Sequence, residues 1–397
     1  MQLKSLEQIK NLKNKRVLVR VDYNVDIEKS KVTEPERIDR TFRTINYLVK
    51  NHARVILMSH LGKPEGKRDE KYSLKPVATY LDKQAKKPVY FVNDCIGNTV
   101  KQKIEDLKAG QILLLENLRF YSGEEKNDAK FAHELASLAD IYINDAFAVV
   151  HRAHASVSAI TKYLPSYAGY NLIDEVDNLS KLLSGFEMPA VAIIGGVKIS
   201  TKIKVLENFL KKYDKVLIGG ALANNFFAAK KYNIGQSVYE PDFVKLSKQL
   251  LDKYKDKIVL PLDIVITNKV AKGGKKEIIK VANLNKQKNK KFFIVDIGIK
   301  TELYFESIIK SANTLVWNGA MGVFEIPQFS HGSDYLARIM AMQSRGDAFG
   351  AVGGGETIVI IKRDHLDTWF DFVSTGGGAM LEFLEGKILP GIKPLIK

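Results

Sequence analysis

The sequence has 397 residues, more than one hydrophobic core usually serves, so two domains are expected. Hydrophobic residues make up 45% and charged residues 27%, which excludes wholesale disorder and leaves room for a sizeable core. Lys and Arg number 61 against 45 Asp and Glu; the resulting +16 favours anionic partners such as nucleic acid, acidic lipid or phosphorylated metabolites. The lysine runs at 286–291 (KQKNKK) and at Lys211-Lys212 read as solvated loops and helix faces. Cys95 is the single cysteine, which excludes an intrachain disulfide framework and a cysteine-built metal site. The first residues, MQLKSLEQIKNLKNKR, carry no apolar signal core, and no apolar run reaches membrane-spanning length. A cytoplasmic protein is expected, with no membrane partner.

Along the first half, short Val/Ile/Leu runs occur at 17–21 (VLVRV), 55–58, 89–92, 112–115 and 141–143. Between them lie helical patterns at 38–50, 74–85, 100–107 and 129–139. That alternation predicts βαβ units and parallel sheets buried on both faces. Pro165 and Gly169 are turn residues, and 172–183 form one amphipathic stretch that predicts a helix between the two halves. The second half repeats the grammar, with strand candidates at 190–194, 215–218, 258–260, 292–295, 314–317, 348–352 and 370–373. No short fixed repeat is present, which argues against a solenoid.

In open parallel sheets, ligands bind beyond the carboxyl ends of the strands. In the first half those ends carry Arg20, Asp22 and Asn24 (RVDYN), His60 (SHLGKP), Arg119 (ENLRF), and His151, Arg152 and His154 (HRAH). One such residue is ordinarily a surface arginine or a core histidine. Their repetition at equivalent strand ends predicts a basin for a multiply charged anion, because guanidinium grips carboxylate and phosphate bidentately. In the second half the strand ends carry glycines: IIGGVKIS, LIGGALANN, VWNGAMGVFE, AVGGGET and VSTGGGAM. Glycine lets peptide N–H groups approach an anion, and a following helix N-terminus favours negative charge. Five such turns in one domain predict a polyphosphate cradle. Together the halves predict an enzyme that transfers a phosphoryl group between a nucleotide and a small anion.

The phosphate site matches neither common textual motif. GKPEGK at 62–67 is too short for a P-loop and is followed by Arg68, and no G-x-G-x-x-G follows a strand. The latter argues against a NAD-dependent dehydrogenase. HRAH and the segment around Asp347 are not the protein-kinase catalytic motifs. His151, His154 and Asp145 could suggest a metal, but Arg152 between the histidines would repel a cation.

RVDYNV, MSHLGKP, LLLENLRF, NDAF before HRAHAS, IGGVKIS, VWNGAMGVFE, GGGET and STGGGAMLEFLEGKILPG occur in an order that resembles the phosphoglycerate kinase family. They run from residue 16 to residue 391, essentially the whole chain. The resemblance implies an α/β fold of two Rossmann-like lobes with parallel sheets joined by a linking helix. It places a phosphoglycerate-binding lobe at 1–168, completed by about 382–397, a linking helix at 169–184, and a nucleotide-binding lobe at 185–381. It implies reversible, Mg²⁺-dependent phosphoryl transfer from 1,3-bisphosphoglycerate to ADP, giving 3-phosphoglycerate and ATP, in a monomer with no obligate nucleic-acid partner. A basic nucleic-acid-binding protein and a catalytically impaired family member are the alternatives.

Position by position, the resemblance assigns Asp22, Asn24, Arg37, His60, Lys63, Arg119 and Arg152 to phosphoglycerate. It assigns Lys198, Lys202, Asn318, Glu325, Gly353, Gly354, Gly355, Glu356 and Thr357 to the nucleotide, with Glu356 also serving the Mg²⁺. Arg37, Lys198, Gly355 and Gly378 would serve the migrating group, with Arg37 and Lys198 reaching it from opposite lobes. Six positions depart from the family pattern: Glu356 stands for Asp, Lys63 for Arg, Asp26 for Pro, Ala148-Val149 for Gly-Thr, and Ala320 for Pro.

Overall fold

A computed structural model describes residues 1–287 and 291–397, so part of the lysine-rich run at 286–291 lies outside the described residues. The chain divides into two compact units, Met1–Asn178 with Lys387–Lys397, and Leu179–Gly386.

The first unit contains β1 (Arg16–Arg20), the hairpin β2 (Ile27–Glu28) and β3 (Lys31–Val32), then β4 (Arg54–Met58), β5 (Val89–Phe91), β6 (Ile112–Leu114), β7 (Ile141–Asn144) and β8 (Ser166–Ala168). Six of these form one sheet in the order β5-β6-β4-β1-β7-β8, and every pairing in it is parallel. Val17, Val19, Val55, Leu57, Ile112, Leu114 and Ile143 pack into one buried cluster. The intervening residues Leu18, Ile56, Met58, Leu113 and Tyr142 pack into another. Both faces are therefore covered, which explains why these strands read as unbroken apolar runs. The pattern at 38–50 forms two helices, Glu36–Asp39 and Phe42–Lys50. The stretch at 172–183 lies inside a single 15-residue helix, Tyr170–Ser184.

The second unit contains β9 (Ala190–Ile194), β10 (Lys215–Ile218), β11 (Ile258–Val259), β12 (Asp263–Thr267), β13 (Lys276–Lys280), β14 (Phe293–Ile297), β15 (Thr314–Asn318), β16 (Phe349–Gly353) and β17 (Phe372–Ser374). Its main sheet runs β11-β10-β9-β15-β16-β17, all parallel. One sequence expectation fails here. The strand at 292–295 does not join the parallel sheet; as β14 it pairs antiparallel with β12, which also pairs antiparallel with β13. The charged β13, four of whose five residues are exposed, conceals this meander from an apolar-run reading.

The last residues return to the first unit. Gly391 N donates to Val150 O (2.9 Å), Lys4 N to Leu395 O (2.7 Å) and Lys397 N to Gln2 O (3.1 Å). Leu389, Ile392 and Leu395 are buried there. Each buried side chain of this size contributes about 1.5–3 kcal/mol. Truncation after Gly386 is thus expected to lower the thermal midpoint of the first unit by roughly 10 °C or more, read by calorimetry. An unchanged midpoint would show that the tail is not part of that core.

Candidate active site

Within the first unit, β6, β4, β1 and β7 are neighbours, so the segments following them meet along one sheet edge. Arg20 ends β1 and is fully buried. It donates through Nη2 to His60 Nδ1 (3.1 Å), through Nε to Ser156 Oγ (2.9 Å), and through Nη1 to the Val21 carbonyl. Ser156 in turn donates from Oγ to Glu124 Oε1 (2.6 Å) and from its backbone N to Glu124 Oε2 (2.9 Å). Glu124 is completely buried, and His154 Nδ1 lies 3.7 Å from its Oε1. Burial opposes ionisation of Glu124, yet hydrogen bonds from His154 and Ser156 and the Arg20 charge hold its carboxyl below the ordinary glutamate range. The same crowding acts in reverse on His60. Burial first, then the charges of Arg20, Arg119, Arg152 and His154, push its imidazole well below the usual histidine range.

A second set of contacts sits above this buried layer. Arg37 donates to Asp22 Oδ2 (2.9 Å) and to the Asn24 carbonyl (3.2 Å). The Asn24 side chain accepts from Gly62 N (2.8 Å), and Arg119 Nη1 donates to Gly62 O (2.6 Å). Arg119 Nε lies 3.1 Å from Glu125 Oε1. A guanidinium carries five donors, so these contacts leave Arg37 and Arg119 with donors for an anion. Lys63 is exposed on the loop carrying Gly62, and Arg152 is exposed beside His151. The structure therefore gathers Asp22, Asn24, Arg37, His60 and Arg119 into one connected patch, with Arg152 within electrostatic reach of His60.

The fate of Asp145 is different. It accepts the N–H of Asn171 (2.8 Å) at the start of the helix Tyr170–Ser184, so it works as a helix cap. Among the described residues, no group of three or more His, Cys, Asp or Glu could hold a metal.

In the second unit, the turns after β9, β15 and β16 interlock. Gly319 has φ +95°, and an added Cβ would lie 2.2 Å from Lys202 Nζ and 2.6 Å from the Gly195 backbone. Only glycine permits that conformation and that approach. Gly319 N donates to Thr357 Oγ1 (2.8 Å), and Asn318 Nδ2 donates to Gly353 O (2.9 Å). Lys202 is buried and donates to Gly195 O (2.7 Å) and Asn318 O (3.2 Å). Burial pushes its ammonium down to about 8, against the pull of Glu356. The helices Gly355–Arg363 and Gly378–Leu384 start at glycines 354 and 377 that offer no side-chain cap. The N–H groups of their first residues, Gly355 and Gly378, are therefore available to an anion, while Ala379 N is taken by Gly376 O (3.0 Å).

Two cavities meet at Val197 and Glu356. One of about 430 Å³ is lined by Lys198, Lys202, Asn318, Gly319, Gly354, Gly355, Gly377 and Gly378. The other, about 230 Å³, is lined mainly by apolar groups including Phe227, Val238, Ile264, Phe293, Val295 and Met321, with Glu325 among its residues. The first, with its lysines and glycine backbone, suits an anion; the second is an apolar slot suited to a nonpolar group. Glu356 Oε2 accepts the N–H of Ala320 (3.2 Å). A proline at 320, as in the family pattern, would have no N–H to give, so the two departures at 320 and 356 form one contact.

Sequence reasoning missed Glu124 and Ser156, because SGEE after LRF reads as a solvated helix start. It also missed the apolar slot, whose wall comes partly from β12 and β14.

A family model described as phosphoglycerate kinase matches residues 6–387. The chain is 45% identical to the phosphoglycerate kinase of Moorella thermoacetica, across 99% of this chain and 98% of that one. It is 44% identical to that of Pseudothermotoga lettingae, across 97% and 96%. The solved structure of phosphoglycerate kinase from Coxiella burnetii superposes with a TM-score of 0.89 at 38% identity, covering 99% of both chains. Motif order, two parallel sheets with chemically opposite edges, and similarity over the whole length agree: the chain belongs to the phosphoglycerate kinase family.

Proposed function

We propose that the protein catalyses the glycolytic transfer of a phosphoryl group between 1,3-bisphosphoglycerate and ADP, giving 3-phosphoglycerate and ATP, with Mg²⁺, as a cytoplasmic monomer. The observation that carries this reading is the pairing of chemistries in one chain. One sheet edge is armed with arginines, and the other with a lysine-flanked cradle of bare peptide N–H groups beside an apolar slot.

In this reading Arg37, Arg119, Arg152 and Lys63 meet the charge of phosphoglycerate, each charge-assisted hydrogen bond contributing about 1.5–3 kcal/mol. Asp22 and Asn24 hold Arg37 and the Gly62 turn in place, and His60 donates a hydrogen bond to the same ligand. The apolar slot takes the base, Glu325 the ribose hydroxyls, and Gly353, Gly354, Gly355, Asn318 and Thr357 form the floor under the phosphates. Lys198 and Lys202 carry positive charge to those phosphates; Lys202 keeps its proton below about pH 8. The acceptor in either direction is already an anion, so no general base is required. Positioning and charge stabilisation do the catalysis, through Arg37, Lys198 and the N–H groups at Gly355 and Gly378.

The donor set at Glu356 fits Mg²⁺, which is bound through one or two carboxylates together with substrate phosphate oxygens rather than by an all-protein cage. When bound there, the ion supplies charge neutralisation of the nucleotide phosphates.

Two outcomes test the assignment in a coupled assay with ATP, 3-phosphoglycerate and Mg²⁺. Arg37→Ala is expected to lower kcat by about 10²-fold or more. A rise in KM alone would make Arg37 a ground-state binder. Glu356→Asp is expected to preserve or raise turnover with Mg²⁺, because it restores the family's usual ligand geometry. A large loss would show that the surrounding site, including the Ala320 N–H that Glu356 accepts, has been rebuilt around glutamate.

A further inference from the structure

The lower layer of the basic patch contains a chain of residues that substrate does not touch in the assignment above, Glu124, Ser156 and then Arg20, and it ends on His60, which does meet the ligand. Its direction is fixed by donor capacity. A guanidinium has no acceptor, so in the 3.1 Å contact between Arg20 Nη2 and His60 Nδ1 the arginine donates and Nδ1 must be unprotonated. The neutral ring then carries its proton on Nε2.

Arg20 is not free to leave that contact. Its Nε is held by Ser156 Oγ at 2.9 Å, its Nη1 by the Val21 carbonyl, and the residue has no exposed surface. Ser156 Oγ accepts from Arg20 because its own proton goes to Glu124 Oε1 (2.6 Å), while Ser156 N occupies Glu124 Oε2 (2.9 Å). The buried Glu124 carboxylate balances the Arg20 charge, which otherwise could not stay in so dry a place.

We propose that Arg20, seated by Ser156 and Glu124, is a positioning residue that locks His60 as the neutral Nε2–H tautomer, so that the ring offers phosphoglycerate an uncharged, directional donor. This rests, for its ligand, on the phosphoglycerate reading of the first unit. The charged groups facing His60 are Arg20, Arg119, Arg152 and His154. All resist a further proton on the ring, so the lock persists through the range in which ordinary histidines titrate. The anion's charge is met by guanidinium groups, and the His60 contact stays constant as pH changes.

The ligand-free full-length protein, ¹⁵N-labelled, tests this by imidazole NMR. From about pH 5 to 8, where an unperturbed histidine titrates, the His60 ring should show Nδ1 at the position of an unprotonated nitrogen and Nε2 at that of a protonated one. An imidazolium or an Nδ1–H ring in that range overturns the lock. Arg20→Met should release it: with no donor holding Nδ1, the ring proton exchanges between Nδ1 and Nε2, the two ¹⁵N signals move toward each other, and KM for 3-phosphoglycerate rises by up to about tenfold for one weakened hydrogen bond, with a smaller change in kcat. Arg20→Lys should restore part of the fixed-tautomer pattern. Ser156→Ala removes only the hydroxyl that seats Arg20 and gives a milder version of the same readout if Arg20→Met does not fold. A variant pair that leaves the ring signals and KM unchanged overturns the proposal. If the lock is present but His60→Gln leaves KM unaltered, the substrate role of His60 is overturned while the tautomer assignment stands.

Discussion

The constraint on which the rest depends is that a parallel sheet sends the carboxyl ends of all its strands to one edge. Both six-stranded sheets are parallel throughout, and both have apolar side chains packed against their faces. Residues that follow a strand are released from the packing demand that governs the strand itself. Charge and glycine are tolerated there more readily than between the packed faces of the strands. In the first unit this places Asp22, His60 and Arg119 beyond three adjacent strands, β1, β4 and β6. In the second it stacks the turns after β9, β15 and β16, where backbones approach so closely that a side chain at Gly195 would collide with the Ala320 carbonyl.

The two edges solve opposite problems. An edge that binds through guanidinium must keep several like charges together without a ligand. Glu124 and Glu125 offset Arg20 and Arg119, and Asp22 offsets Arg37. Burying Glu124 and Arg20 costs several kcal/mol per ion in desolvation, which their mutual attraction and full hydrogen bonding must offset. The other edge binds through backbone N–H groups, which carry only partial charge and need no counter-charge. One buried cation, Lys202, sits over two carbonyl oxygens, close enough to Glu356 to feel its charge.

The departures from the family pattern are local. Glu356 is one methylene longer than the usual aspartate, and its carboxylate reaches the N–H that Ala320 provides where proline would provide none. Lys63 is exposed and exchanges a planar fork for a point charge at the margin of the patch. Neither alters the sheet edges on which the residues stand.

Much of this was legible in the residues. Apolar runs of four or five flanked by helical periodicity determined the parallel strands, because a strand buried on both faces has no polar side to show. The arginines, histidines and glycines after those runs determined the two chemistries, because strand ends have a fixed address in a parallel sheet. The tertiary structure alone decided what lies beneath. The antiparallel β12–β14 sheet was hidden because β13 exposes most of its residues, and it supplies part of the wall of the apolar slot. Glu124 looks like a surface glutamate in SGEE, and its burial is decided by Arg20, Ser156 and His154, which approach from segments more than thirty residues distant in one case and more than one hundred in another. Periodicity records which face a residue occupies in its own element. The partner that makes a buried charge tolerable comes from another element, and local spacing carries no information about it.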